Sequence, residues 1–287
     1  MKVLVTGYDG QLGFDVVKRL KSLNIECLGV DRNDFDLVDE LKTKEFTKNY
    51  NPDVVVHCAA YTAVDKAEEE KEMCYKVNVL GTRYIAQACD DIDAKLVYIS
   101  TDYVFDGEGE KPFEVTDEPR PINYYGKTKY EGELEVKKYL DKAFIIRVSW
   151  VFGINGNNFV KTMLKLGKER EQLNVVADQI GSPTYAYDLA NLISDMIFTE
   201  KYGTYHATNE GYCSWYEFAC EIFNLAGINV AVNPIRTEDY PTKALRPKNS
   251  RLSKKSLELG GFDKLPDWKD GLKRYIDELR LVSNNGV

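Results

Sequence analysis

The chain has 287 residues, 44% of them hydrophobic and 29% charged, which is enough to bury the core of one large domain, or of a large domain with a smaller one. The formal net charge is −8 and the sequence contains no long basic run, so nucleic acid is not an expected partner. The first apolar run is too short for a signal peptide, and no apolar stretch is long enough to span a bilayer. Six cysteines without a Cys-x-x-Cys pair and only two histidines argue for reduced thiols, no zinc site and a cytoplasmic location.

Strand-like and helix-like segments alternate through the first two thirds of the chain. Apolar residues recur at helical spacing near 11–22, 38–49, 65–90 and 126–141. Between these segments, nearly continuous apolar runs predict strands buried on both faces, at 2–6, 26–30, 54–58, 95–100 and 144–148. The alternation predicts an α/β fold with a doubly wound parallel sheet of Rossmann type.

A glycine-rich turn follows the first predicted strand, with Gly7, Gly10 and Gly13 spaced three and three. The first glycine suits a sharp turn, the second lets the backbone approach a pyrophosphate, and the third lets a helix pack close to the sheet. The second predicted strand ends at Asp31, where a carboxylate can bind both hydroxyls of an adenosine ribose. These features predict a dinucleotide site that favours NADH over NADPH, while the neighbouring Arg32 leaves the use of both open. The alternative interpretation is a tight turn without a ligand.

Polar residues at the end of the fourth predicted strand are candidates for catalysis. Thr101 lies there, and Tyr125 and Lys129 follow four residues apart, on one face of a predicted helix. Ketone reduction by hydride needs a proton donor, and a nearby ammonium is expected to lower the pKa of tyrosine from its usual value of about 10. The Thr101 hydroxyl can hold the substrate oxygen. The alternatives are an ordinary exposed Tyr–Lys pair, or Tyr124, which lacks a lysine four residues later.

The regular alternation ends near Val151. Beyond it lie a Gly- and Asn-rich loop at 153–158, helix-like segments at 187–198, 214–226 and 267–281, and a strand-like segment at 204–208. We predict a dinucleotide-binding domain at 1–150, to which 185–208 returns, and a substrate-binding lobe at 151–184 and 209–287. A ligand cleft is expected between them, beyond the carboxyl ends of the strands.

Further motifs give the chain a resemblance to a known family. They cover most of its length, at 59–68, 100–107, 125–129, 147–151, 156–159, 178–184 and 246–252. On these residues the chain resembles the extended short-chain dehydrogenase/reductases and, within them, the dTDP-4-dehydrorhamnose reductases. The resemblance implies reduction of the 4-keto group of dTDP-4-dehydro-6-deoxy-L-mannose by NADH or NADPH, giving dTDP-L-rhamnose.

The resemblance also implies roles for individual residues. Tyr125 and Lys129 would reach the nicotinamide ribose, and the residues facing the sugar would be Thr101, Asp102 and Trp150. The other implied cofactor contacts are Gly10, Gln11 and Leu12 at the pyrophosphate, Asp31 at the adenosine ribose, Asp36 and Leu37 near the adenine, and Ala60, Tyr61 and Thr62 at the inner half. Asn158 and Arg251 are implied at the nucleotide end of the substrate. The alternatives are a core aromatic for Trp150 and a capping or turn-forming role for the two polar loop residues.

Some members of the family hold magnesium between acidic residues at a dimer contact. The matching positions here are Asp15, Asp188 and Glu278, two of them one methylene shorter, and we expect them to be solvated surface residues. We therefore predict no metal site and leave a homodimer open.

Two other functions are open at the level of the sequence. One is another nucleotide-sugar enzyme of the same fold, such as an epimerase or a 4,6-dehydratase. A dehydratase usually has Asp-Glu after the strand-four threonine, whereas Asp102-Tyr103 follows Thr101 here. The other is a non-catalytic binding module, such as the regulatory subunit of methionine adenosyltransferase. The presence of Tyr125 and Lys129 favours catalysis, because a binding module has no need of a proton donor.

Overall fold

A central parallel sheet organises residues 1–284, the part of the chain that the computed structural model describes. The strands are β1 (Lys2–Thr6), β2 (Glu26–Val30), β3 (Val54–His57), β4 (Lys95–Thr101), β5 (Ala143–Val148), β6 (Val151–Phe152), β7 (Gln172–Val176), β8 (Ile180–Gly181), β9 (Thr184–Tyr185), β10 (Gly203–His206), β11 (Asn209–Glu210), β12 (Cys213–Ser214), β13 (Ala231–Ile235), β14 (Asn249–Ser250) and β15 (Leu265–Asp267). The helices are α1 (Gln11–Ser22), α2 (Glu40–Tyr50), α3 (Val64–Ala67), α4 (Lys71–Tyr75), α5 (Thr82–Asp91), α6 (Tyr124–Tyr139), α7 (Phe159–Glu169), α8 (Ala186–Met196), α9 (Trp215–Ala226), α10 (Lys255–Leu259) and α11 (Trp268–Asn284).

The central sheet has the strand order β2-β1-β3-β4-β5-β10, and every neighbouring pair is parallel. Successive side chains of a strand point to opposite faces, so β1 contributes to two cores. Val3 and Val5 pack with Val16 of α1 and Leu189 of α8 in one cluster, whereas Leu4 belongs to a second cluster on the other face. Helices therefore cover both faces, which confirms the predicted doubly wound α/β fold.

Two local predictions differ from the structure. Because β2 lies at the edge of the sheet, Glu26 and Leu28 are exposed, and the expectation of two buried faces is wrong for this strand. The predicted helix at 65–90 is divided into α3, α4, a π-helical turn at Lys76–Gly81 and α5. The π-helical turn presents Asn78 to the backbone of Tyr61, a contact that helical periodicity does not reveal.

Most of the chain after β5 forms short sheets around a separate core. β13 pairs with β7, β8 lies between β12 and β14, and the core includes Phe152, Val160, Phe218 and Leu272. By contrast, β10 extends the central sheet beside β5, and α8 packs against α1. The division into two lobes stays a prediction. Among residues 1–284, no helix combines the length and the apolar character that crossing a membrane requires.

Candidate active site

A cavity of about 1120 Å³ lies at the carboxyl ends of the central strands. In the central sheet β2 lies on one side of β1 and β3 lies on the other, so the strand order reverses at β1. The cavity opens at this point of reversal, where doubly wound sheets bind ligands. Its walls bring together sixteen predicted site residues: Gly7, Gly10, Gln11, Leu12, Gly13, Asp31, Asp36, Leu37, Ala60, Tyr61, Thr62, Thr101, Asp102, Tyr125, Lys129 and Trp150.

The glycine turn forms the floor of one end of the cavity. Gly7 has a φ of +70°, and a Cβ atom there would lie 2.7 Å from the Ala59 backbone nitrogen. A Cβ atom on Gly13 would lie 2.2 Å from the Gly7 carbonyl oxygen, so α1 packs against the turn only because this residue is glycine. Gly10 caps α1 without a side-chain hydrogen bond. The first N–H groups of a twelve-residue helix therefore face the cavity, which suits a pyrophosphate.

The loop at 153–158 is fastened to this turn. The Gln11 side-chain oxygen accepts hydrogen bonds from the Gly153 N–H at 2.9 Å and from Asn158 Nδ2 at 3.0 Å. Asn155 Nδ2 donates to the Asp9 carbonyl at 2.7 Å. The side chain of Gln11 thus connects the start of α1 with the loop at 153–158. Gln11 also lines the cavity, beside the N-terminus of that helix.

Two predicted substrate contacts lie away from this cavity. Asn158 caps α7 by accepting from the Lys161 N–H at 2.9 Å, and it does not line the cavity. Arg251 lines a second cavity of about 660 Å³ and donates to Asn249 Oδ1 at 3.0 Å. The capping alternative therefore describes Asn158, and the structure does not bring either residue to Tyr125.

The end of β2 forms the wall expected to meet an adenosine ribose. The Asp31 carboxylate accepts from the Asn33 N–H at 2.7 Å, which holds the turn, and the Asp31 N–H donates to Asp34 Oδ2 at 2.8 Å. The exposed Arg32 lines the cavity beside it. A carboxylate and a guanidinium therefore lie next to each other at this end.

Asn78 lies behind the cavity wall and supports it, a role that the sequence did not reveal. Its Oδ1 accepts from the Tyr61 N–H at 2.8 Å, and its Nδ2 donates to the Tyr61 carbonyl at 3.2 Å and to Thr128 Oγ1 at 3.0 Å. It therefore connects the loop after β3 with α6 between Tyr125 and Lys129. Nothing in the sequence distinguishes this asparagine from others inside helical segments.

The first turns of α6 carry Tyr125 and Lys129. Asn123 caps the helix by accepting from the Gly126 N–H at 2.8 Å, which fixes the helix start just before Tyr125. The Tyr125 ring meets the Tyr103 ring edge to face at 5.8 Å. Lys129 is 2% exposed, and its Nζ lies 4.1 Å from the centre of the Tyr98 ring. At the cavity wall Lys129 is therefore buried and Tyr125 is half-buried, so the predicted pair is not an ordinary exposed one.

The pKa values of this pair differ from the sequence-based expectation. Burial raises the pKa of Tyr125, and a hydrogen bond with Thr101 partly opposes the rise. Burial lowers the pKa of Lys129 to about 7, opposed mainly by Glu133. The expectation that Lys129 lowers the pKa of Tyr125 is therefore wrong, because desolvation dominates for both groups. The phenol consequently stays protonated at neutral pH, which is the state that a proton donor needs.

Thr101 and Asp102 complete the polar part of the wall. The Thr101 hydroxyl donates to Asp102 Oδ1 at 3.0 Å and accepts from the Tyr103 N–H at 3.2 Å. Asp102 is 4% exposed, and its Oδ2 has no hydrogen-bond partner within residues 1–284. Burial raises the pKa of this carboxyl to about 6, opposed by the nearby hydroxyls of Ser250 and Thr101. A buried oxygen without a partner is suited to accept from a ligand hydroxyl.

Two stacked tryptophans form the opposite wall. Trp150 and Trp215 lie with ring centres 3.7 Å apart and planes at 17°, and both line the cavity. Trp150 has a φ of +50°, and a Cβ atom on Gly181 would lie 2.8 Å from its indole. Trp150 is thus both a packed aromatic and a cavity wall. Trp215 begins α9 directly after its capping Ser214, a position that no sequence motif singled out.

Two of the three acidic residues considered for a metal, Asp188 and Glu278, have basic partners. Arg274 donates to both oxygens of Asp188 at 2.8 and 2.7 Å, and Glu278 accepts from Lys18 at 2.8 Å. Asp15 and Asp188 are 3% and 6% exposed, so the expectation of solvated surface residues is wrong for these two. Within residues 1–284, no group of three His, Cys, Asp or Glu side chains is arranged to hold a metal ion.

Comparison with known proteins identifies the family. The family model described as RmlD substrate binding domain matches residues 1–281. The dTDP-4-dehydrorhamnose reductase of Aggregatibacter actinomycetemcomitans is 42% identical over 285 residues, which are 95% of this chain and 97% of that relative. The crystal structure of a dTDP-4-dehydrorhamnose reductase from Clostridium acetobutylicum is 48% identical, with a TM-score of 0.96, over 98% of this chain and 100% of its own. The dTDP-4-dehydrorhamnose reductase from Bacillus anthracis, solved in complex with NADP, is 46% identical, with a TM-score of 0.95, over 97% and 100%. This chain therefore belongs to the family of the dTDP-4-dehydrorhamnose reductases.

Proposed function

We propose that the protein is a reductase that uses NADH or NADPH to reduce the 4-keto group of dTDP-4-dehydro-6-deoxy-L-mannose to dTDP-L-rhamnose. The observation that carries this proposal is the convergence of Thr101, Tyr125 and Lys129 on one cavity wall beside the glycine turn. Family membership supports the substrate, because the relatives described above are named for this reaction.

The residues of the cavity suit a dinucleotide. Gly10 and the first N–H groups of α1 would hold the pyrophosphate, Asp31 the adenosine ribose, and Lys129 the nicotinamide ribose. The NADP bound to the Bacillus anthracis relative supports acceptance of a 2′-phosphate in this family, and Arg32 supplies a cation for it here. Asp31 disfavours that phosphate, so we expect both cofactors to serve, with NADH slightly preferred. When bound, the reduced nicotinamide supplies a hydride for the carbonyl carbon.

The side chains on α6 and β4 supply the proton and the charge stabilisation. Tyr125 donates its phenolic proton to the oxygen that becomes the alcohol, since its raised pKa keeps it protonated. The hydroxyl of Thr101, which lies beside the phenol, would turn its proton from Asp102 to hold the same oxygen. Lys129, in its charged form, stabilises the phenolate that Tyr125 leaves behind. The proton is then replaced from solvent through the open cavity.

The remaining walls would position the sugar. Trp150, backed by Trp215, offers a flat apolar face, and Asp102 Oδ2 offers an acceptor for a sugar hydroxyl. The second cavity, which contains Arg251, is our candidate for the nucleotide end, because both cavities share Arg246. A homodimer and a cytoplasmic location stay predictions from the sequence.

A panel assay tests the proposal. Purified protein is mixed with NADH or NADPH and with several 4-keto nucleotide sugars, and the ultraviolet absorbance of the reduced nicotinamide is followed. Consumption of cofactor with the dTDP-linked 4-keto-6-deoxy-L-sugar is expected, and chromatography should show the matching deoxysugar nucleotide. Tight cofactor binding without consumption on any substrate would instead indicate a binding module, and consumption only with another sugar would indicate a different reductase.

A further inference from the structure

A third ionisable residue follows Tyr125 and Lys129 on α6. Glu133 lies four residues after Lys129, so the three side chains occupy successive turns of one helix face. Glu133 is fully buried and does not line the cavity. Substrate and cofactor therefore do not explain why a carboxylate is buried at this position, where an unpaired charge is costly.

Glu133 is held by partners on the two strands beneath the helix. Arg147 of β5 donates from Nε at 2.9 Å and from Nη2 at 2.8 Å, and Ser100 of β4 donates its hydroxyl at 2.5 Å. Arg147 is itself 1% exposed and lies next to His206, with Nη1 and Nε2 3.4 Å apart. This network fixes α6 to the strand that ends in Thr101, because Ser100 directly precedes that residue.

Lys129 meets few negative groups in its buried position. The titratable side chains around it are His57 of β3, Cys58 after β3, Cys74 of α4, Tyr98 of β4, and Tyr125 and Glu133 of α6. Burial raises the pKa of Cys58 to about 12 and lowers that of His57 to about 3, so both are neutral near pH 7. Burial also raises the pKa of Cys74, Tyr98 and Tyr125. Of these six side chains, Glu133 is the one carboxyl group, and both of its oxygens accept hydrogen bonds from Arg147.

We propose that Glu133 is a positioning residue that keeps Lys129 in its charged form, and that Arg147 and Ser100 hold the Glu133 carboxylate where it can do so. The inference rests on the proposed reductase function, in which the Lys129 ammonium stabilises the Tyr125 phenolate. Removing the carboxylate leaves the burial of Lys129 unopposed, so the ammonium loses its proton at lower pH. The enzyme then loses activity at a lower pH than the unaltered protein does.

The test compares pH profiles of kcat for three variants. Glu133→Gln removes the charge with little change in size, and Glu133→Asp keeps the charge. Glu135→Gln is the matched control, because Glu135 lies on the same helix and forms a similar two-bond pair with Arg83, at 2.8 and 2.9 Å. For Glu133→Gln we expect the alkaline limb to move down by about one pH unit, so that the ratio of kcat at about pH 6 to kcat at about pH 8 rises roughly fivefold. Glu133→Asp and Glu135→Gln should keep the original limb. An equal loss at every pH for Glu133→Gln would overturn the proposal.

A double variant keeps the test decisive if Glu133→Gln does not fold. Glu133→Gln leaves Arg147 buried without a carboxylate, which can destabilise the protein. In the double variant Glu133→Gln with Arg147→Met both charges are gone, and the alkaline limb should still move down. An unmoved limb in a folded double variant would contradict the proposal.

Cofactor binding separates this inference from the proposed function. The fluorescence of bound NADPH gives an affinity at each pH without any sugar substrate. In Glu133→Gln we expect affinity to fall at lower pH than in the unaltered protein, because Lys129 is expected to contact the ribose. If the unaltered protein binds cofactor but reduces no sugar of the panel, the proposed function fails while this measurement still decides the role of Glu133.

Discussion

Asp15 gives the sharpest test of the electrostatics in this structure. It lies in α1, is 3% exposed, and its Oδ2 has no hydrogen-bond partner within the described residues. Burial and the nearby Glu278 raise the pKa of Asp15 from 3.8 to about 7, with Lys18 opposing them. We predict that Asp15→Asn stabilises the protein at alkaline pH and leaves its stability at acidic pH almost unchanged.

The sign follows from proton binding. Between the unfolded pKa of 3.8 and the folded pKa of about 7, the folded protein holds a proton that the unfolded chain has released. The free energy of unfolding therefore falls as the pH rises through this range, and the full penalty is present above it. A rise in pKa from 3.8 to about 7 corresponds to about 4 kcal/mol, which is the upper bound for the gain in Asp15→Asn.

The measurement is urea unfolding of both proteins at several pH values from about pH 5 to about pH 8, with the difference in unfolding free energy plotted against pH. Asp277→Asn serves as the control, because Asp277 lies on the surface of α11 with half of its side chain exposed. The difference should grow with pH for Asp15→Asn and stay flat for Asp277→Asn. If the difference in unfolding free energy for Asp15→Asn does not change with pH, or if this variant is less stable at about pH 8, then burial does not disfavour the charged form of Asp15 and the argument is refuted.

Three further predictions concern the active site. Tyr125→Phe should lower kcat by roughly 10²- to 10⁴-fold while the affinity for NADPH stays within a few-fold, since the hydroxyl acts mainly in the transition state. Stopped-flow turnover measures kcat and fluorescence titration measures the affinity. Unchanged turnover would remove Tyr125 from the mechanism. Asp31→Ala should lower the affinity for NADH more than that for NADPH, because the Asp31 carboxylate can accept from the free 2′-hydroxyl of NADH, which NADPH lacks. Calorimetric titrations that show equal losses of affinity would contradict this assignment. Trp215→Ala should raise the KM for the sugar nucleotide by about 2- to 10-fold, as expected from loss of an aromatic pair, and steady-state kinetics with an unchanged KM would show that the Trp150–Trp215 stack does not shape the sugar subsite.

The sequence could predict the central sheet and most of the residues singled out here that line the main cavity, because their signals are local. The apolar run before Gly7, the spacing of the glycines and the four-residue separation of Tyr125 and Lys129 each lie within a few residues. The contacts of Asn78 and Trp215 depend on segments that are distant in sequence, and periodicity carries no information about them. The exposure of β2 depends on its place at the sheet edge, which its own five residues do not encode.

The pKa of Tyr125 shows a different kind of limit. The Lys129 charge could be read from the sequence, but the desolvation that outweighs it comes from packing of α6 against β4 and the loop that follows. For Asn158, motif position alone did not separate a ligand contact from the helix cap that the structure shows. Such roles depend on the direction in which a side chain points.

The fastening of the loop at 153–158 to the glycine turn offers a physical route for coupling between the binding of the two expected ligands. Through Gln11 and Asn155, a displacement of that loop would reach the segment expected to hold the dinucleotide. If binding of the sugar nucleotide moves the loop, the affinity for the dinucleotide changes, and the dinucleotide changes the affinity for the sugar nucleotide by the same factor. Cooperativity between the two ligands is then a property of three hydrogen bonds rather than of direct contact between the ligands.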